Sequence, residues 1–116
     1  MNDQDTTVAA MAEVVQSFVD ERDWQQFHDP KNLSMPIAIE ASELMEHFQW
    51  LRTDQVQPDE IGPEDRARIA EELADVLCFA LSFANATGID IATAVRDKLE
   101  KNARKYPAEE FRGRFR

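Results

Sequence analysis

A chain of 116 residues has room for one domain, and its 43% hydrophobic and 31% charged residues, with three glycines and five prolines, exclude low-complexity and many-turned all-β chains. A formal net charge of −10 repels nucleic-acid backbones and anionic membrane surfaces, so neither a nucleic-acid polymer nor a membrane is an expected partner. A small anionic substrate is admissible only with cations between it and the protein.

In chain order, Val8, Met11, Val15, Phe18 and Val19 recur at three- and four-residue steps between Thr6 and Arg22, the pattern of an amphipathic first helix. From Asp23 to Leu33 the pattern breaks, and Pro30 with its Asp and Asn neighbours marks a loop that also carries Trp24 and Phe27. Ser34 is the expected cap of a second helix, with Pro36 in its first turn and a buried stripe of Ile37, Ala41, Leu44, Met45, Phe48 and Leu51 ending near Arg52. The stretch TDQVQPDEIGP reads as a surface connection.

Pro63 opens a third helix, with Glu64 and Asp65 in its positive first turn. It runs through Ile69, Leu73, Val76, Leu77, Ala80, Leu81 and Phe83 to a cap at Gly88. Apolar nearly all round after Glu72, it is the expected centre of an all-α fold. Cys78, the only cysteine, reads as a small buried hydrophobe and precludes an intrachain disulfide. Asp90 caps a fourth helix carrying Ile91, Ala94, Val95 and Leu99, which Pro107 stops; the single domain therefore has a core of about residues 6–107 and a tail at 108–116. The start, MNDQDTTVAA, has no basic, apolar leader, and no apolar run is long enough to span a bilayer, so a cytoplasmic location is expected.

Two acidic pairs interrupt the apolar stripes: Glu40/Glu43 in IEASEL and Glu72/Asp75 in EELADVL. Residues three apart on a helix share a face, so each pair presents two carboxylates to one small volume. Glu40 lies between Ile37 and Leu44 and Glu72 between Ile69 and Val76, which turns both toward the protein. A carboxylate placed there loses hydration unless a cation, proton or donor compensates it. Oxygen ligands without histidine or thiolate suit a hard cation, Mg²⁺ or Mn²⁺, and such a site serves phosphoanhydride chemistry. The alternative reading is acidic rims of a core or an oligomer interface, in a non-catalytic helical binding or dimerisation module; E-x-x-E spacing arises readily in an acid-rich chain.

Other candidates are less specific. Trp24, His28 and Trp50 can bound a planar base or serve as core and interface anchors. Lys98, Asn102, Arg104, Lys105 and Tyr106 offer cations and donors to phosphate, or compensate a helix C-terminal dipole. His47 reads as a partly exposed helix residue.

The motif IExxEL, with the 28 residues at positions 44–71 separating its Glu43 from the Glu72 of ExxD, resembles the MazG-like all-α nucleotide pyrophosphohydrolases. ERDWQQFHDPKNL, the FQW at Phe48–Trp50, EELADVL and K-x-x-x-N-x-R-K-Y-P look like the dCTP pyrophosphatase branch, and these segments run from about Phe18 to Pro107. The resemblance implies hydrolysis of a (deoxy)nucleoside triphosphate, dCTP or a modified dCTP, between the α and β phosphates to the monophosphate and pyrophosphate. It implies that Glu40, Glu43, Glu72 and Asp75 bind Mg²⁺ and act in catalysis, one of them orienting the attacking water. Trp24, His28, Trp50 and Phe79 fall on its nucleotide-pocket positions, and Lys98, Asn102, Arg104 and Tyr106 on its phosphate-side segment. Phe79 stands where the branch often has tyrosine, and Val15 and Ala41 also depart from recurring choices. The implied fold is a four-helix bundle that builds its sites across a tightly packed homodimer, or a dimer of dimers forming a homotetramer.

Overall fold

The computed structural model describes residues 1–114, and among these every regular element is helical. Five α-helices follow in order: α1 Val8–Glu21, α2 Pro30–Glu46, α3 Pro63–Thr87, α4 Ile91–Lys105 and a short α5, Ala108–Phe111. The expected tail thus contains a turn of helix, and its last two residues lie outside the described residues.

Thr7 caps α1, its hydroxyl accepting from Ala10 N at 3.0 Å. At the other end Asp23 adopts a left-handed φ of 53°, and its N–H and that of Trp24 return to the carbonyls of Asp20 and Val19 at 3.0 and 3.1 Å. This closing turn normally takes glycine. Asp tolerates it because its short polar chain bonds locally, here accepting from the side-chain amides of Gln25 and Gln26, each at 3.0 Å. The turn carries Trp24 back against Phe18, edge-on at 5.8 Å between ring centres.

The second helix differs from expectation at both ends. Asp29, not Ser34, is its cap, accepting from Asn32 N at 2.7 Å, and Pro30 takes the first position, where its missing N–H has no partner to lose. Ser34 instead donates to the Lys31 carbonyl at 2.9 Å, and Pro36 sits inside the helix, where it cannot donate to the carbonyl four residues back. α2 stops at Glu46 rather than near Arg52, and the chain continues in tight turns such as Phe48 N to Met45 O at 2.9 Å. The third and fourth helices end and begin as expected, with Gly88 left-handed at φ 72° and Asp90 accepting from Thr93 N at 2.9 Å.

α3 is the central element, lying chiefly along α2 and over a shorter stretch against α1. Val19, Leu33, Leu81 and Ala84 are the buried apolar residues between them, and Asn85 Nδ2 ties α3 to the Ala12 carbonyl of α1 at 3.0 Å. After Gly88 the chain bends by 101°, and α4 packs against no other helix over more than a few residues. The expected four-helix bundle is therefore not closed within one chain.

The radius of gyration is 17.2 Å, against roughly 13 Å for a compact domain of this length. Much of the expected core stripe is open: Met45, Leu51, Leu73 and Leu77 are exposed, as are Val95 and Leu99 on α4. Cys78, expected buried, is exposed as well. Apolar periodicity marks a face that needs a partner; it does not say whether the partner is the same chain. No single helix among the described residues is long and apolar enough to cross a membrane.

Candidate metal centre and adjoining groove

The α2–α3 pairing brings the two acidic segments together. One carboxylate oxygen from each of Glu40, Glu43 and Glu72 lies within 4.8 Å of the other two, and all three residues are half-buried. Glu40 Oε2 and Glu72 Oε2 are buried with no hydrogen-bond partner. Buried polar atoms are nearly always paired, so two unpaired acceptors in this cluster suit a cation or a proton.

The electrostatics agree. Burial is the main cause that raises the Glu40 carboxyl above its ordinary value, followed by the close approach and charge of the Glu43 carboxylate and by the charges of Asp75 and Glu72. Glu72 is raised first by burial, then by the charge and close approach of the Glu43 carboxylate, then by Asp75, with His47 acting in the opposite sense. An all-oxygen donor set that resists its own ionisation fits a hard divalent cation.

Asp75 is exposed and stands outside the close triplet, although its charge is felt by both Glu40 and Glu72. It also reaches along α3: the Cys78 thiol is pushed up by burial and then by the Asp75 charge. Cys78 and Phe79 open onto an apolar groove of about 250 Å³, walled on the α1 side by Phe18 and Val19 and closed by Trp24 and His28. Carboxylates and groove thus lie in succession along one helix.

Trp24, His28 and Phe79 therefore line one groove. Trp50 does not join them: it is 87% exposed, in the turns that follow α2. Lys98, Asn102, Arg104 and Tyr106 on and after α4 line neither the groove nor the carboxylate cluster, because α4 leaves the body of the chain after Gly88. Sequence reasoning passed over Gln16, Ser82 and Asn85, which line a polar cleft beside the groove. Single polar residues on amphipathic helices read as solvated, and only the helix pairing brings these together.

The MazG-like family model matches residues 35–114. Human dCTP pyrophosphatase 1 is 42% identical over 91 residues, 78% of this chain and 54% of that protein, and the bovine protein of the same name is 40% identical over 96 residues, 83% and 57%. The chain thus spans a little over half the length of these curated relatives. A pyrophosphatase from Archaeoglobus fulgidus DSM 4304, solved by crystallography, superposes with a TM-score of 0.79 at 34% identity, covering 92% of this chain and 98% of that one. Sequence, carboxylate constellation and fold together establish that this chain belongs to the MazG-like family.

Proposed function

We propose that the protein is a cytoplasmic pyrophosphohydrolase that cleaves a (deoxy)nucleoside triphosphate, dCTP or a modified dCTP, between the α and β phosphates, using Mg²⁺ or Mn²⁺. The observation that carries this reading is the close triplet of Glu40, Glu43 and Glu72 with its two buried, unpartnered oxygens. The names of the dCTP pyrophosphatase relatives support the choice of base. A bound cation supplies neutralisation of phosphate charge and a lowered pKa for attacking water.

In this reading Glu40, Glu43, Glu72 and Asp75 hold the cation, and one of these carboxylates orients the attacking water. Trp24, His28 and Phe79 hold the base in the apolar groove and keep bulk water from it. Lys98, Asn102, Arg104 and Tyr106 serve the phosphates of a site in a second copy of the chain, and Trp50 enters the pocket on assembly into a dimer or tetramer. The departure of α4 and the exposure of Val95 and Leu99 support that exchange. A non-catalytic helical module would leave Glu40 Oε2 and Glu72 Oε2 without a compensating group.

Incubation with dCTP and Mg²⁺, followed by product identification, tests the proposal. dCMP with pyrophosphate is expected. dCDP with orthophosphate would refute the assigned bond, and an absence of turnover with any canonical or 5-modified dNTP would refute the activity.

A further inference from the structure

The apolar groove shares a wall with a second space, a cleft of about 220 Å³ lined by Gln16, Gln25 and Asn85. The common wall includes His28 and Ser82, which line both. Ser82 is only 6% exposed as a residue, lines both spaces and makes no hydrogen bond among the described residues, so its hydroxyl is free to pair with a group that enters them.

The three amides around it are held in one orientation. Gln16 Nε2 donates to the Asp20 carboxylate at 2.8 Å, Gln25 Nε2 to the Asp23 carboxylate at 3.0 Å, and Asn85 Nδ2 to the Ala12 carbonyl at 3.0 Å. Each partner only accepts, so none of these amides can be reversed without placing oxygen against oxygen. The apolar groove thus adjoins a cleft whose lining residues carry three amide oxygens free of protein donors among the described residues.

We infer that Gln16, Ser82 and Asn85 read the exocyclic amino group of a nucleobase whose ring lies in the groove. The inference rests on the proposed base-holding role of that groove. An amino group supplies donors to the amide oxygens, while a ring carbonyl at the same point confronts them with another acceptor and leaves them unpaired. Desolvated, unpaired acceptors penalise the wrong base more than correct pairing favours the right one. The group read is the one that cytosine and adenine carry at C4 and C6, where uracil and guanine, the matched keto rings, carry a carbonyl; guanine's own amino group lies elsewhere, at C2.

The test compares the members of each ring pair on the full, assembled protein. kcat/KM is measured for dCTP against dUTP and for dATP against dGTP with Mg²⁺, and affinities for the four monophosphates are measured separately by calorimetry. The amino member of at least one pair is expected to be favoured by about 10-fold or more, and the pair that shows it identifies the ring. Gln16→Met and Ser82→Ala should each shrink that preference by about 2- to 10-fold, chiefly through loss on the amino base. Equal or inverted preference in both pairs overturns the inference, as does an equal fall for amino and keto members in both variants. If no triphosphate is hydrolysed, the proposed activity fails but the monophosphate affinities still decide: the same amino preference upholds the inference, and its absence or a lack of binding overturns it.

Discussion

Five basic and nineteen acidic residues lie before position 96, whereas eight basic and four acidic residues lie from there to the end. The acidic region folds on itself, with α3 laid against α2 and α1 and three carboxylates gathered between helices. α4, which leads into the basic region, leaves at 101° and presents Val95 and Leu99 to solvent. One chain therefore builds the part of a site that calls for a cation, while its cationic arm lies elsewhere. Opposite charge and unpartnered apolar surface on the two regions fit mutual completion by two copies.

The largest effect should come from the acidic region. Glu72→Gln is expected to lower dCTP hydrolysis on the order of 10²- to 10³-fold or more with unchanged helical circular dichroism, and undiminished turnover would detach the triplet from catalysis. Next comes the arm: Leu99→Asp should convert the assembled protein to monomer in sedimentation and reduce activity with it. A variant that remains fully assembled and active would break the complementarity between the two regions.

A smaller effect separates the regions by pH. Glu40 and Glu72 bind protons more tightly in the fold than at the ordinary value of 4.5, so their protonation stabilises the folded state at low pH. That contribution is lost as pH rises through their raised values. Metal-free wild type should therefore fall progressively below Glu72→Gln in Tm as pH increases, and Mg²⁺ should narrow the gap; a constant difference would remove the strain assigned to the triplet. The smallest change is at the junction. Gly88→Ala forces a side chain into the left-handed region at φ 72° and should cost about 1–2 kcal/mol in denaturant unfolding while leaving the carboxylates in place.

The acidic pairs were legible because helical phase alone puts Glu40 and Glu72 on apolar stripes, and both have a buried oxygen. Asp75 was harder: spacing three residues from Glu72 shares a face but does not bring its carboxylate into the triplet. The start of α2 was misread because Ser34–Pro36 and Asp29–Pro30 carry the same capping chemistry, and the structure uses the earlier one. Leu73, Leu77 and Leu99 have the periodicity of core residues yet are exposed in one chain, since a pattern cannot name the surface that covers it. Gln16, Ser82 and Asn85 converge only through the packing of α1 on α3, which no local pattern contains.

Mn²⁺ titration followed by electron paramagnetic resonance decides whether Glu40, Glu43 and Glu72 form a divalent-cation site. Wild type should deplete the free Mn²⁺ signal to a saturable limit, with Mg²⁺ competing, and a Glu40→Gln/Glu72→Gln double variant should leave it undiminished. Equal Mn²⁺ uptake by wild type and the double variant would contradict the account.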